Sequence, residues 1–101
     1  MKSKRSKACD ILPSIRQIVK ERDSGCIVCG RYQTQVAHYI PRSQGGLGIE
    51  KNLVLLCPRC HMEFDNGSKR KEIGEFVRNY LRSKYDDWNE DDLIYNKWRN
   101  E

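Results

Sequence analysis

Apolar residues along this chain change their spacing from one stretch to the next, and each change marks an element. In "ILPSIRQIVKERDSG", Ile11, Ile15, Ile18 and Val19 recur at helical spacing. Pro13 suits a first turn there, and Ser24-Gly25 marks the stop. "CIVCG" then reads as a tight knuckle. "YQTQVAHYI" is short and rich in β-formers, which predicts a strand ending before Pro41. "PRSQGGLGIEKN" reads as a loop by its Gly, Pro and Ser content, and "LVLLC" as a buried strand. "PRCHMEF" predicts a short helix with Pro58 at its first position and Asn66-Gly67 as its stop. A second helix is expected over about residues 68–84, with Ile73, Phe76, Val77, Tyr80 and Leu81 as its apolar stripe. Lys71, Arg78 and Arg82 line up on its opposite face. No segment repeats.

Composition adds limits to this pattern. The chain has 101 residues and 38% hydrophobic content, enough for one small domain with a modest core. The partition expected is a basic disordered arm over 1–9, a body over 10–85, and an acidic, aromatic extension over 86–101. Trp88, Leu93, Tyr95 and Trp98 of that extension are expected to pack back onto the body. No apolar run is long enough for a membrane span, and Pro13, Arg16 and Gln17 interrupt any signal-peptide core. A cytoplasmic location is expected, where thiols stay reduced.

Charge is unevenly placed. The net charge is +5, with nine Lys/Arg against three Asp/Glu in residues 1–45 and two against six in residues 86–101. A basic body points to a polyanionic partner, nucleic acid first.

The cysteines carry the strongest local signal. Cys26-x2-Cys29 is followed after 27 residues by Cys57-x2-Cys60. Two such pairs in a reduced, core-poor domain supply four thiolates to a tetrahedral structural Zn²⁺. Redox-active pairs and buried free thiols are the competing readings. Cys9 has no partner and is given no role. Between and beside the pairs lies the series His38-x13-Asn52-x8-His61.

On these residues the sequence resembles the HNH endonuclease family and its ββα-metal fold. The strand–loop–strand–helix order over about 34–66 is the same, and "IRQIVKERDSGCIVCG" is similar to the helix leading into the first knuckle. With "YLRSKYDDWNEDDLIYNKW" included, the chain looks most like small stand-alone bacteriophage and prophage members. The implied fold class is small α+β, a zinc-stabilised, treble-clef-like ββα core with flanking N- and C-terminal helices. The implied activity is metal-dependent nicking or cleavage of DNA phosphodiester bonds. His38 would be the general base, and His61 a ligand of a catalytic divalent cation: Mg²⁺, or else Mn²⁺ or Ni²⁺. Asn52 would tie down the loop and orient the histidine. Asp65, one helical turn after His61, would be a second ligand. Cys60 would face the zinc while His61, about 100° around the helix, faces the cleft. Arg42, Lys71, Arg78 and Arg82 are the candidate phosphate contacts. By analogy with phage enzymes, a terminase–portal partner is also implied.

One position departs from the pattern. The family commonly carries Asp or His immediately before the general base, and here that residue is Ala37. Three outcomes are compatible with this. Asp65 takes over as ligand, or the cation binds weakly with DNA phosphate completing its shell, or the site is inactive. The last leaves a treble-clef zinc module that binds nucleic acid or a protein partner. His61 in place of Cys60 as zinc ligand, Asn52 as an ordinary loop residue, and Tyr39 as either core or DNA contact are the further alternatives.

Overall fold

Leu53, Val54, Leu55 and Leu56 are all buried, so the strand they form must be covered on both faces. In the computed structural model, which describes residues 3–96, this strand is β2 (Leu53–Leu56). It pairs antiparallel with β1 (Gln35–His38), with Gln35 opposite Leu56 and His38 opposite Leu53. Four α-helices surround the pair among the described residues: α1 (Lys4–Cys9), α2 (Pro13–Asp23), α3 (Pro58–Asn66) and α4 (Arg70–Lys84). The architecture is small α+β, with the ββα order of β1, β2 and α3 at its centre.

The two sheet faces serve two clusters, as the two-residue side-chain period requires. Ala37, Val54 and Leu56 join Cys26, Cys57 and Cys60 and the stripe Ile73, Val77 and Leu81 of α4. Val36, Leu53 and Leu55 meet Val19 of α2 with Ile11 and Ile15. Each fully buried aliphatic side chain contributes on the order of 1.5–3 kcal/mol. Ile18 and Phe76, expected in the apolar stripes, are 44% and 46% exposed, so the buried stripes of α2 and α4 are narrower than the helical spacing predicts. The β1 strand is also shorter than the β-rich stretch around it, since its partner offers only four residues to pair.

A polar knot fastens α2 to the rest. The Asp23 carboxylate, with its side chain fully buried, pairs with Arg22 at 2.6 Å and accepts from Leu55 N at 2.9 Å and from the Tyr80 hydroxyl. Arg22 donates to Leu53 O at 2.6 Å, Glu50 O at 2.9 Å and Tyr85 Oη at 3.0 Å. The free edge of β2 is thus satisfied by α2 side chains at Leu53 O and Leu55 N and by Ile27 N of the knuckle, which donates to Leu55 O at 3.1 Å.

Segments on both sides of the body, residues 4–9 and 88–95, dock on the β1–β2 loop. Residues Lys4–Cys9 form a helix instead of the expected disordered arm: Ser3 Oγ caps it by accepting from Ser6 N at 3.1 Å, and Cys9 is buried. A helix this short is not stable alone. Its docking supplies the difference, through Gly48 N donating to Ala8 O at 3.0 Å. From the other end, Leu93 is fully buried and its carbonyl accepts from Leu47 N at 2.8 Å, while Tyr95 N donates to Gly45 O at 2.7 Å. Trp88 donates from Nε1 to Lys51 O at 2.7 Å. Trp98 lies outside the described residues. Gly46 is obligatory in this loop, because a Cβ there would stand 1.7 Å from Ile40 O. No helix among the described residues is long and apolar enough to cross a membrane.

Candidate active site and metal centre

The four knuckle cysteines converge from opposite sides of the ββ loop. Cys26 and Cys29 follow α2, while Cys57 is the N-cap of α3 and Cys60 lies in its first turn. Their sulfurs all lie within 4.8 Å of one another, with Cys29 and Cys57 at 3.5 Å. Four thiolates on one zinc with bonds of about 2.3 Å sit about 3.8 Å apart, so this set is positioned to hold one such ion. Cys60, not His61, completes the set.

His61 turns away from that centre. Its Nδ1 donates to Gln35 Oε1 of β1 at 2.7 Å, which leaves the lone pair on Nε2. That Nε2 lies 3.4 Å from Asp65 Oδ2. A nitrogen lone pair beside a carboxylate, with the opposite ring nitrogen held by an amide, is a donor set that suits a divalent cation. Ala37, two residues beyond Gln35 on the same side of β1, is buried in the core cluster and offers no ligand atom.

His38 ends β1 and is half-buried. Its Nε2 stands 3.0 Å from the Cys9 carbonyl. Burial holds its pKa below the usual imidazole value of 6.5, outweighing the Cys9 carbonyl, and the cations Arg42 and Arg16 with His61 add to the lowering. The imidazole is therefore neutral at pH 7, as a general base must be. Asn52 is fully buried. Its Oδ1 accepts from Ile40 N at 2.9 Å, and its Nδ2 donates to Leu47 O at 2.8 Å and Ile40 O at 3.2 Å. One side chain so ties both ends of the 40–47 loop, and its own carbonyl accepts from Tyr39 N at 2.8 Å, next to His38.

His38, His61, Asp65, Arg42 and Lys71 line a single open cleft of about 920 Å³. This ββα arrangement can be set beside known proteins. A family model for HNH endonuclease matches residues 26–66, from the first knuckle cysteine to the end of α3. Anaredoxin of Nostoc sp. (strain PCC 7120 / SAG 25.82 / UTEX 2576) is 30% identical over 63 residues, 60% of this chain and 83% of that protein. The chain belongs to the HNH endonuclease family. Type IV methyl-directed restriction enzyme EcoKMcrA of Escherichia coli (strain K12) is 40% identical over 48 residues, 48% of this chain. The match spans only 17% of that enzyme's length.

Within the HNH frame, the cationic residues are not arranged as the helical period alone predicts. Lys71 faces the cleft. Arg78 is paired with Glu90 at 2.8 Å, and Arg82 is exposed away from the cleft lining. Arg42 donates to Cys9 O and Asp10 Oδ1, both at 2.7 Å. Tyr39 donates to Glu90 at 2.9 Å, and burial with that carboxylate pushes its pKa up to about 12. Three contributors escaped the sequence reading. Gln35 could have been found from the two-residue period that puts it on the side of Ala37. Glu90 and the Cys9 carbonyl carry no local signal, because tertiary docking brings them in.

Proposed function

We propose that this HNH protein is a divalent-cation-dependent endonuclease that nicks or cleaves DNA. The observation that carries the reading is a neutral, half-buried His38 sharing one cleft with the His61–Asp65 pair. His38 takes the proton from the water that attacks the phosphodiester phosphorus, a contribution on the order of 10²–10⁴ in rate. His61 and Asp65 would hold a divalent cation, which when bound would supply charge stabilisation at the phosphorus and the leaving 3′ oxygen. Gln35 keeps the His61 ring turned for that role, and Asn52 holds the loop from which His38 emerges. The products are a 5′-phosphate and a 3′-hydroxyl. Lys71 is the foremost candidate phosphate contact because it faces the cleft, whereas Arg42 and Arg78 are engaged by Asp10 and Glu90 and Arg82 lies outside the cleft lining. Zinc at the four cysteines is the structural ion. The named restriction activity of EcoKMcrA supports DNA as the substrate class. A terminase–portal partner rests on resemblance alone, and no feature of this chain carries it.

A second reading is favoured by Ala37: a zinc module that binds nucleic acid without cutting it. A supercoiled-plasmid assay with Mg²⁺, Mn²⁺, Ni²⁺ or EDTA separates the two. Metal-dependent nicking by the wild type, lost in His38→Ala with zinc content unchanged, is expected. Silence of both proteins with every cation, alongside salt-sensitive DNA binding, would establish the zinc module instead.

A further inference from the structure

The Cys9 carbonyl oxygen is shared. It accepts from Arg42 Nη1 at 2.7 Å and faces His38 Nε2 at 3.0 Å. A carbonyl oxygen can only accept, so a neutral imidazole meeting it must carry its proton on Nε2. The lone pair is then confined to Nδ1. Which nitrogen can act as base is thus decided by an atom upstream of the family-matched segment, which begins at Cys26.

That atom is held from several sides. Arg42 Nη2 pairs with Asp10 Oδ1 at 2.7 Å, so one guanidinium holds both the Cys9 carbonyl and the side chain of the next residue. Arg5 Nη2 donates to Ser43 O at 3.0 Å and Gly48 N to Ala8 O at 3.0 Å, fastening α1 to the same loop. At Gly48 a Cβ would stand 2.0 Å from Asp10 O and 3.0 Å from Cys9 O. The loop comes this close to residues 9–10 only because position 48 lacks a side chain.

We propose that Arg42 is a positioning residue. It clamps the Cys9–Asp10 backbone against His38, and the Cys9 carbonyl selects the Nε2–H tautomer that frees Nδ1 to act as base. This rests on the nuclease reading for its consequence, though the tautomer does not. Two substitutions address it: Arg42→Gln, at a partly exposed position that spares the core, and Gly48→Ala, which pushes the carbonyl away without touching His38 or Arg42.

The test is long-range ¹H–¹⁵N NMR of the zinc-loaded full chain, read beside cleavage kinetics and zinc content. The wild type should show His38 as a single Nε2–H tautomer, and both variants a mixture of tautomers at unchanged zinc content. In cleavage, Arg42→Gln should lower kcat by about tenfold, part of what a positioned base supplies, with KM within about twofold. An Nδ1–H tautomer in the wild type, or an unchanged Nε2–H tautomer in Arg42→Gln, would overturn the proposal. So would a rise in KM with kcat unchanged and a salt slope shallower by about one, which would make Arg42 a phosphate contact. If the wild type does not cleave under any condition, the nuclease reading fails and the tautomer still decides the clamp.

Discussion

The His38 ring owes its charge state to its surroundings, and this sets the pH behaviour of any chemistry it performs. A base whose pKa is lowered is fully available at neutral pH and is lost only as pH falls through that lowered value. The acid limb of the cleavage profile should therefore lie below pH 6.5, measured as kcat/KM under metal-saturated conditions. An acid limb above that value would assign the titration to another group. Asp23 is the residue on which the fold most depends electrostatically. Asp23→Ala would leave Leu55 N and the Tyr80 hydroxyl without their acceptor and the largely buried Arg22 without its counter-charge. Breaking a buried pair from one side costs about 3–5 kcal/mol, so chemical denaturation should show a loss of that size. Conserving the shape with Asn should cost less, since it keeps one acceptor oxygen. Neither the depth of His38 nor that of Asp23 is written in its own residue type, and only Asp23's neighbour Arg22 hints at a pair.

Element by element, local sequence carried much of the chain. Pro58 opens α3 and Gly67 caps it, and Pro13 opens α2, as proline's fixed φ and missing N–H dictate. At the end of α2 the C-cap is Ser24, in the left-handed region at φ 62°. That conformation costs an L-residue about 1–2 kcal/mol, of which glycine's greater chain entropy returns part. Ser24→Gly should therefore raise stability by about 0.5–1 kcal/mol in a thermal or denaturant melt. The element least legible was α1. Its sequence is basic and marginal for a helix, and its partners lie far along the chain at Gly48 and Ser43. In α3, by contrast, the one-residue step from Cys60 to His61 already implied two directions. Cys60 joins the thiolate cluster while His61 meets Gln35 and Asp65.

At the scale of the whole molecule, the β1–β2 loop is clamped from the N-terminal helix, from the C-terminal extension and from within by Asn52. Leu93→Ala should cost about 2–5 kcal/mol as a buried large-to-small change. It should also slow cleavage, because the Leu93 carbonyl anchors Leu47 in the loop that Asn52 ties. Activity that stays at wild-type level in a folded Leu93→Ala protein would show that the extension has no part in holding the site. Stripping the knuckle metal with a strong thiol-competing chelator should unfold the protein, since structural zinc supplies on the order of 10 kcal/mol in small domains. Circular dichroism should then lose its helical signal, and zinc alone, not Mg²⁺, should restore it. From sequence by itself came the paired cysteines, the order of strands and helices, and the His38, Asn52 and His61 series. Each of these is legible because it depends on spacing within one element or on the fixed chemistry of a residue type. Tertiary structure alone decided the helix at Lys4–Cys9, the diversion of Arg42 and Arg78 into internal ion pairs, and the contact that fixes the His38 tautomer. Those depend on backbone atoms and distant segments meeting in space, and a carbonyl oxygen is the same in every residue until the fold brings a partner to it.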